Sequence, residues 1–377
     1  MIDYPRRRFL KTSISAAAVF LLKPFDAVFA SKTESQGTPT WLELLETARW
    51  CPTIHNLQPH QLKILSTTEA DLYFDPKRLL PVGDPNAVFV TIAMSMFIEH
   101  LAIVANQHGH TIQIEGPIIP IDTKATASTK FARLKLVQTD TKDNLDAALI
   151  LQRKTSRLHY NGQPLKQETI QAIRTEAANF NHQFFHSADP DFVDFIIDLN
   201  QQTLFDDLAS PKGREELHRL FRYTDEDASK FKDGLWYKAM AFPGKIMRAV
   251  FTHHERWEKG LKKKMLGDYY RHSFKGTASI CWFKGNFKSP EDWMNAGQMF
   301  ARTWLLLTKE KAFLHPFGSL ITNKNAHLQF SSKINSEMNQ LENDQEIWMI
   351  FRAGYSKEPV RSYRLSTKEL IINEGIL

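Results

Sequence analysis

Asn56 and Gln58 stand two positions apart in the stretch Cys51-Pro52-Thr53-Ile54-His55-Asn56-Leu57-Gln58-Pro59, and each side-chain amide carries donors and an acceptor. Such a pair could read a planar heterocycle with alternating donors and acceptors along one edge. An ordinary helix-to-strand connection bracketed by two prolines would use the same residues. Farther along, Arg153-Lys154-Thr155-Ser156-Arg157 places two guanidiniums and two hydroxyls within five residues. Arginine offers a rigid fork of donors and hydroxyls fill the remaining lone pairs, a set suited to a dianion. A charged surface stretch at a unit boundary would look the same. Dinucleotide, P-loop, nucleophile-elbow and H-E-x-x-H signatures are missing from the sequence. His253-His254 and the pair His108, His110 have no carboxylate or cysteine spacing beside them, so they read as satisfied or exposed histidines and no metal is expected. The two cysteines, Cys51 and Cys281, fit either one disulfide or two buried thiols.

The elements that must position these residues follow from pattern. Thr40-x-x-Glu43 is a capping box, and Trp41, Leu44, Leu45 and Ala48 recur at helical spacing, so a helix runs to about Trp50. A strand from His60 to Leu65 leaves the loop, and a second short one covers 72–74. Asp84-Pro85 reads as the start of a helix, apolar nearly all round and interrupted by Ser95, Glu99 and His100. That is a central core helix rather than a membrane span. Strands follow at 110–115 and 135–138, and a second unit begins near Asn144. Its helix 164–179 and aromatic strand 182–186 repeat the helix, loop, strand order of 40–65, with the prolines and glutamine of the loop lost, which reads as a decayed internal duplication. Residues 189–207 and 212–220 look helical. The excursion 233–264 is too long for a connector and reads as a lid or arm. A buried strand at 277–283, a helix opened by Ser289-Pro290-Glu291-Asp292 and running to about 312, and an apolar central strand 347–351 complete the chain.

The first thirty residues read differently. Arg6-Arg7-Arg8-Phe9-Leu10-Lys11 fits a twin-arginine pattern, residues 14–22 form a short alanine-rich apolar run, and Val28-Phe29-Ala30 offers a cleavage site before Ser31. Nine apolar residues are too few to span a bilayer, so no permanent membrane span is expected. Residues 1–30 are thus expected to be an export signal, with the twin-arginine translocase as a transient partner and the periplasm as destination. Residues 31–39 form a polar linker. Of the chain's formal charge of +6, the signal holds +3, from five cations and two aspartates, leaving +3 on the remainder, too little to argue for nucleic acid. The one dense basic run, Lys259 to Lys264, reads as a solvated helix face.

The helix ending in Ala-x-x-x-Pro-Thr-x-x-Asn-x-Gln-Pro, followed by a strand, resembles the flavin-binding loop of the nitroreductase family, most closely its internally duplicated, single-chain (Acg-like) branch. The stretches 72–85, 153–160, 290–308 and 354–364 agree with that likeness. It implies an α+β nitroreductase-like fold, a mixed sheet packed by helices, duplicated as a pseudo-dimer with units at 40–143 and 144–377. The implied cofactor is FMN, its phosphate gripped by Arg153, Thr155, Ser156 and Arg157, with the loop residues Pro52, Thr53, Ile54, Asn56 and Gln58 against the ring system. Arg361 matches a late basic contact to the phosphate, with Arg364 as a substitute, and the weaker match at Gly318 and Ser319 implies backbone near the isoalloxazine. One site is implied, because the first unit lacks the arginine segment and the second lacks the amide loop. The cofactor would do the redox chemistry, so no residue is assigned as catalytic. The implied activity is reduction of a nitroaromatic, quinone or similar small-molecule electron acceptor, by a monomer or a homodimer. A flavin-sequestering protein without turnover and a scaffold with an empty site stay open beside it.

Overall fold

The computed structural model describes residues 38–338 and 345–372, apart from the side chains of 337 and 338. The expected export signal, and the linker up to residue 37, lie outside the described residues. The front half comprises α1 (Trp41–Ala48), β1 (His60–Ile64), β2 (Glu69–Phe74), α2 (Val88–Asn106), β3 (His110–Glu115) and β4 (Thr129–Gln138). The short helix α3 (Ala148–Gln152) leads into α4 (Gln167–Asn179) and β5 (Gln183–Ser187). An insertion follows, made of α5 (Pro190–Ala209), α6 (Pro211–Leu220), β6 (Phe221–Arg222), α7 (Asp225–Phe231), β7 (Leu235–Trp236), α8 (Gly244–Thr252) and α9 (Gly260–His272). The chain then returns through β8 (Ile280–Gly285), α10 (Pro290–Lys309), β9 (Phe313–Pro316), α11 (Ser319–Thr322), α12 (Lys324–Met338) and β10 (Glu346–Gly354).

Two four-stranded sheets result, ordered β1-β2-β4-β3 and β5-β8-β10-β9. Allowing for the insertion and for α11 and α12 between β9 and β10, the element order is the same in both halves: helix, two strands, long helix, two strands. Every pairing within these sheets is antiparallel. The mixed character expected of the sheet enters only at its rims. Single parallel bridges join Leu62 of β1 to Ile371, and Leu314 of β9 to Thr155.

The capping box at Thr40 and Glu43 forms, and α1 buries Trp41, Leu44, Leu45 and Ala48. The expected start of α2 at Pro85 moves to Val88. Residues 84–87 form a turn with Ala87 left-handed, and the Asp84 carboxylate reaches forward to accept from the Val88 and Val90 amides at 2.9 Å each. By length and composition α2 could cross a membrane, yet 83% of its apolar window is buried. It lies along α10, where Ser95 Oγ donates to the Met294 carbonyl. Gly297 permits the contact, since a Cβ there would sit 2.6 Å from the Ile92 carbonyl oxygen. Each long helix also feeds the other half's core: Met294 and Leu305 pack into the front cluster, Ile92 and Met96 into the rear one.

The central rear strands β8 and β10 are largely apolar because both faces are covered. Cys281, Phe283, Trp348 and Phe351 face the α10 core, while Ile280, Trp282, Ile347 and Ile350 face α5 and α12. Both cysteines are buried free thiols, not a disulfide. The insertion occupies the whole interval between β5 and β8, wider than the 233–264 excursion read from sequence.

Candidate functional site

The loop after α1 is bent by its own side chains. His55, Asn56 and Gln58 all have left-handed φ, at 48°, 58° and 53°, a cost that surrounding contacts must hold in place. Gln58 supplies many of them. Its side chain is fully buried, its amide nitrogen donates to the Asn56 and Lys232 carbonyls at 3.1 and 3.0 Å, and its oxygen accepts from the Leu365 amide at 2.8 Å. The Gln58 backbone N–H donates to Thr53 Oγ1 at 3.0 Å. Gln58 and Thr53 therefore shape the loop and spend their polar atoms inside the protein. Asn56 donates to the Tyr363 carbonyl at 3.2 Å and accepts from the Arg364 guanidinium. Pro52 is buried, and Ile54 packs half-buried on the front core.

Three arginines converge on this loop. Arg153, freed from the end of α3, is buried, donates to the Trp50 carbonyl at 3.1 Å and lies 4.8 Å over the Trp304 ring. Arg361 sits 3.7 Å over the Trp50 ring, with Arg364 5.9 Å from that ring and within hydrogen-bonding reach of the Cys51 carbonyl at 3.4 Å. Among the described residues, no carboxylate hydrogen-bonds or ion-pairs with Arg153, Arg361 or Arg364. Indole faces and carbonyls stand in for counter-charge. Burial, and then the guanidiniums' mutual repulsion, pull Arg153 well below the ordinary arginine range and Arg361 down to about 10. Arg364 is also lowered to about 10, chiefly by burial. Burial pushes the Cys51 thiol up to about 12.

Two histidines that the pattern reading did not single out belong to this group. His60 and His100 are fully buried, and none of their four ring nitrogens has a partner. Arg153 Nε and Arg364 Nε are orphaned as well. His60 stacks on Phe97 at 4.1 Å, and burial followed by the Arg364 charge lowers it to about 3. A histidine opening a strand, and another inside an apolar helix, were the available signals.

The rest of the arginine segment is used differently. Thr155 makes the bridge to Leu314. Ser156 is fully buried with its hydroxyl 2.7 Å from that of Ser356. Arg157 is half-buried, donates to the Ala239 carbonyl at 3.4 Å and bears electrostatically on His55, which burial and that charge lower to about 4. The segment is held by Arg352, buried in β10, which donates to the Leu158 carbonyl at 3.1 Å and lies 4.3 Å over the Tyr160 ring. Gly276, at φ 78°, clears the same spot, since a Cβ there would stand 1.9 Å from the Tyr160 carbonyl oxygen. Gly318 and Ser319 begin α11, where Ser319 donates to Asp207 at 3.1 Å. No described hydrogen bond ties them to the loop or to the arginine segment.

The insertion closes over the loop. Lys232 accepts from Gln58, the Gly234 amide donates to the Asn56 carbonyl at 3.3 Å, and Asp233 ion-pairs Arg78 at 2.8 Å and Arg222 at 2.5 Å. Arg78 also donates to the Leu57 carbonyl at 2.8 Å.

No family model and no curated protein matches this chain. Solved structures that resemble it include an FMN and NADPH-dependent nitroreductase, NfnB, from sphigopyxis sp. strain HMH, at 14% identity, covering 61% of this chain and 99% of that one with a TM-score of 0.34. A nitroreductase with bound FMN from Bacteroides fragilis NCTC 9343 is 11% identical, over 60% of this chain and 97% of its own, with a TM-score of 0.36. The FMN-dependent nitroreductase NfnB from Mycobacterium smegmatis, solved in complex with NADPH, is 15% identical over 60% and 96%, with a TM-score of 0.34. Overlays this loose carry no weight for the chemistry of the chain.

Proposed function

We propose that this protein is an exported FMN-binding oxidoreductase of the nitroreductase type, acting on a nitroaromatic, quinone or similar acceptor. The observation that carries the reading is the convergence of Arg153, Arg361 and Arg364 on the 51–58 loop with no carboxylate among their described partners. A buried guanidinium at Arg153 and half-buried ones at Arg361 and Arg364, without counter-charge and with the Nε atoms of Arg153 and Arg364 unpartnered, fit a bound phosphate dianion. In this reading those three arginines hold the phosphate of FMN and Asn56 lies at the ring's polar edge. Gln58 and Thr53 position the loop, Thr155 and Ser156 fix the arginine segment, and Arg157 closes the side nearest residue 239. When bound, the flavin supplies electron transfer between a donor and the acceptor.

The matching element order of the two halves supports descent from one duplicated unit, a pseudo-dimer in one chain with units at 40–143 and 144–377. Gly318 and Ser319 are proposed as outlying contacts only. The twin-arginine pattern at residues 6–11 supports export to the periplasm after cofactor loading.

A second reading, flavin sequestration without turnover, is favoured by the insertion's hydrogen bonds onto the loop and Arg157. A visible spectrum taken anaerobically before and after NADPH tests both. A flavin band that bleaches supports the reductase. A band that resists NADPH yet bleaches with dithionite supports sequestration, in which case Asp233→Asn, which removes the carboxylate shared by Arg78 and Arg222, is expected to restore access. A colourless protein that takes up no added FMN sinks the flavin reading.

A further inference from the structure

We propose that the outward face of α9 docks on an anionic lipid surface. The helix has two distinct sides. Leu266, Gly267 and half-buried Tyr270 face inward, and Gly267 lies so close to α5 that a Cβ would meet Gln201 Nε2 at 2.4 Å. Leu261, Met265 and Tyr269 follow at i, i+4 and i+8 on the other side, 72%, 57% and 42% exposed. Leu261 is the most exposed large apolar residue among those described. Single exposed apolar residues are ordinary, but a continuous stripe at the outer crest of a helix marks an interaction face.

The stripe's flanks specify the partner. Residues 255–265 hold Arg256, Lys259, Lys262, Lys263 and Lys264 against Glu255 and Glu258. Lys262 and Lys264 stand on either side of Leu261 and Met265, all exposed. Lys262 Nζ lies 5.4 Å over Trp257, and Lys264 reaches Asp268 at 2.8 Å, a pair too exposed to cancel the local field. An apolar crest between lysines, with a tryptophan at its root, is the arrangement by which an amphipathic helix seats in a headgroup layer. The basic run expected to be merely solvated therefore has an apolar centre. Tyr269 also donates to the Ala241 carbonyl at 3.3 Å, which ties one end of the stripe to the segment that touches Arg157.

The inference is independent of the flavin reading, because its test needs no cofactor. The full chain is co-sedimented with sucrose-loaded vesicles of phosphatidylglycerol and phosphatidylethanolamine, or of phosphatidylcholine alone. Tighter partitioning to the anionic vesicles by tenfold or more is expected, weakened by salt. Both Leu261→Ser/Met265→Ser and Lys262→Glu/Lys264→Glu are expected to lower it at least tenfold. All four positions are exposed, so unchanged circular dichroism is expected, and each variant retains residues 1–37, which isolates the contribution of α9. Equal binding to both vesicle types, or anionic binding untouched by the apolar variant, overturns the proposal. Concentration-dependent self-association abolished by Leu261→Ser overturns it in favour of a second copy of the chain.

Discussion

Two sets of arginines, buried or half-buried, meet their surroundings in opposite ways. Arg302, on α10, donates to Glu99 at 2.9 Å, to Asp143 at 2.7 and 3.0 Å and to the Asn144 amide oxygen at 2.8 Å, and ion-pairs Glu176. Although burial opposes its charge, those carboxylates raise it above the ordinary arginine range. Arg153, Arg361 and Arg364 are lowered instead. The comparison teaches how to read a buried charge. Where the chain supplies the counter-ion, the charge belongs to the fold and ties α2, α4 and α10 together. Where it supplies only aromatic faces and carbonyls, the function proposed above assigns the missing counter-ion to a ligand.

That contrast can be broken most sharply by exchanging the arginines for methionine. Arg302→Met strands buried carboxylates and is expected to lower the unfolding free energy by about 3–5 kcal/mol. Arg153→Met removes a charge with no carboxylate partner, so stability should move by less than about 1 kcal/mol or rise, while retained flavin falls more than roughly tenfold. Urea unfolding with flavin absorbance measures both, and an equal loss of stability in the two variants would erase the distinction.

A smaller effect is expected at the loop. Gln58→Met leaves the Leu365 amide and the Asn56 and Lys232 carbonyls without their partner, at about 2–3 kcal/mol. Proteolysis near residue 232 should rise with it. No change in proteolysis would mean that Asp233 and the Gly234 amide hold the insertion without Gln58.

The smallest effect is set by pH. His60 has a folded value of about 3 against 6.5 when unfolded, so the unfolded chain takes up a proton first as pH falls. Its contribution is intact above pH 6.5 and is lost progressively down to about pH 3, on the order of 2 kcal/mol at pH 5. His60→Phe should flatten that slope in unfolding titrations at pH 7 and 5. A bound dianion beside His60 should flatten it too, which offers a second measure of the anion site.

Local chemistry was legible from the sequence wherever it acts over a few residues. The capping box at Thr40, the helix start at Ser289 and the loop bracketed by Pro52 and Pro59 are examples. The start of α2 was not, because Asp84 caps the helix from four positions ahead through a turn that the Asp-Pro pair disguises. Long-range charge was legible only as anomaly. Glu99 in an apolar helix announces a partner without naming it, and that partner lies across the fold, while Arg352 fell just outside the strand read at 347–351. The roles of Gln58 and Ser156 were hidden for the same reason. Their donors match a ligand's needs, and only the packed structure shows them turned toward Lys232, Leu365 and Ser356.

The tail that crosses to the front half carries a consequence for timing. Gln58 receives the Leu365 amide from 307 positions away, and the outer edge of β1 is bridged by Ile371. The front sheet can assemble its four strands early in synthesis. Its rim and its loop stay open until residues 361–371 have been made. Closure of the loop therefore waits on a segment that follows both sheets, and a chain truncated just after β10 would keep every strand of both sheets yet leave the arginine-lined loop unfinished.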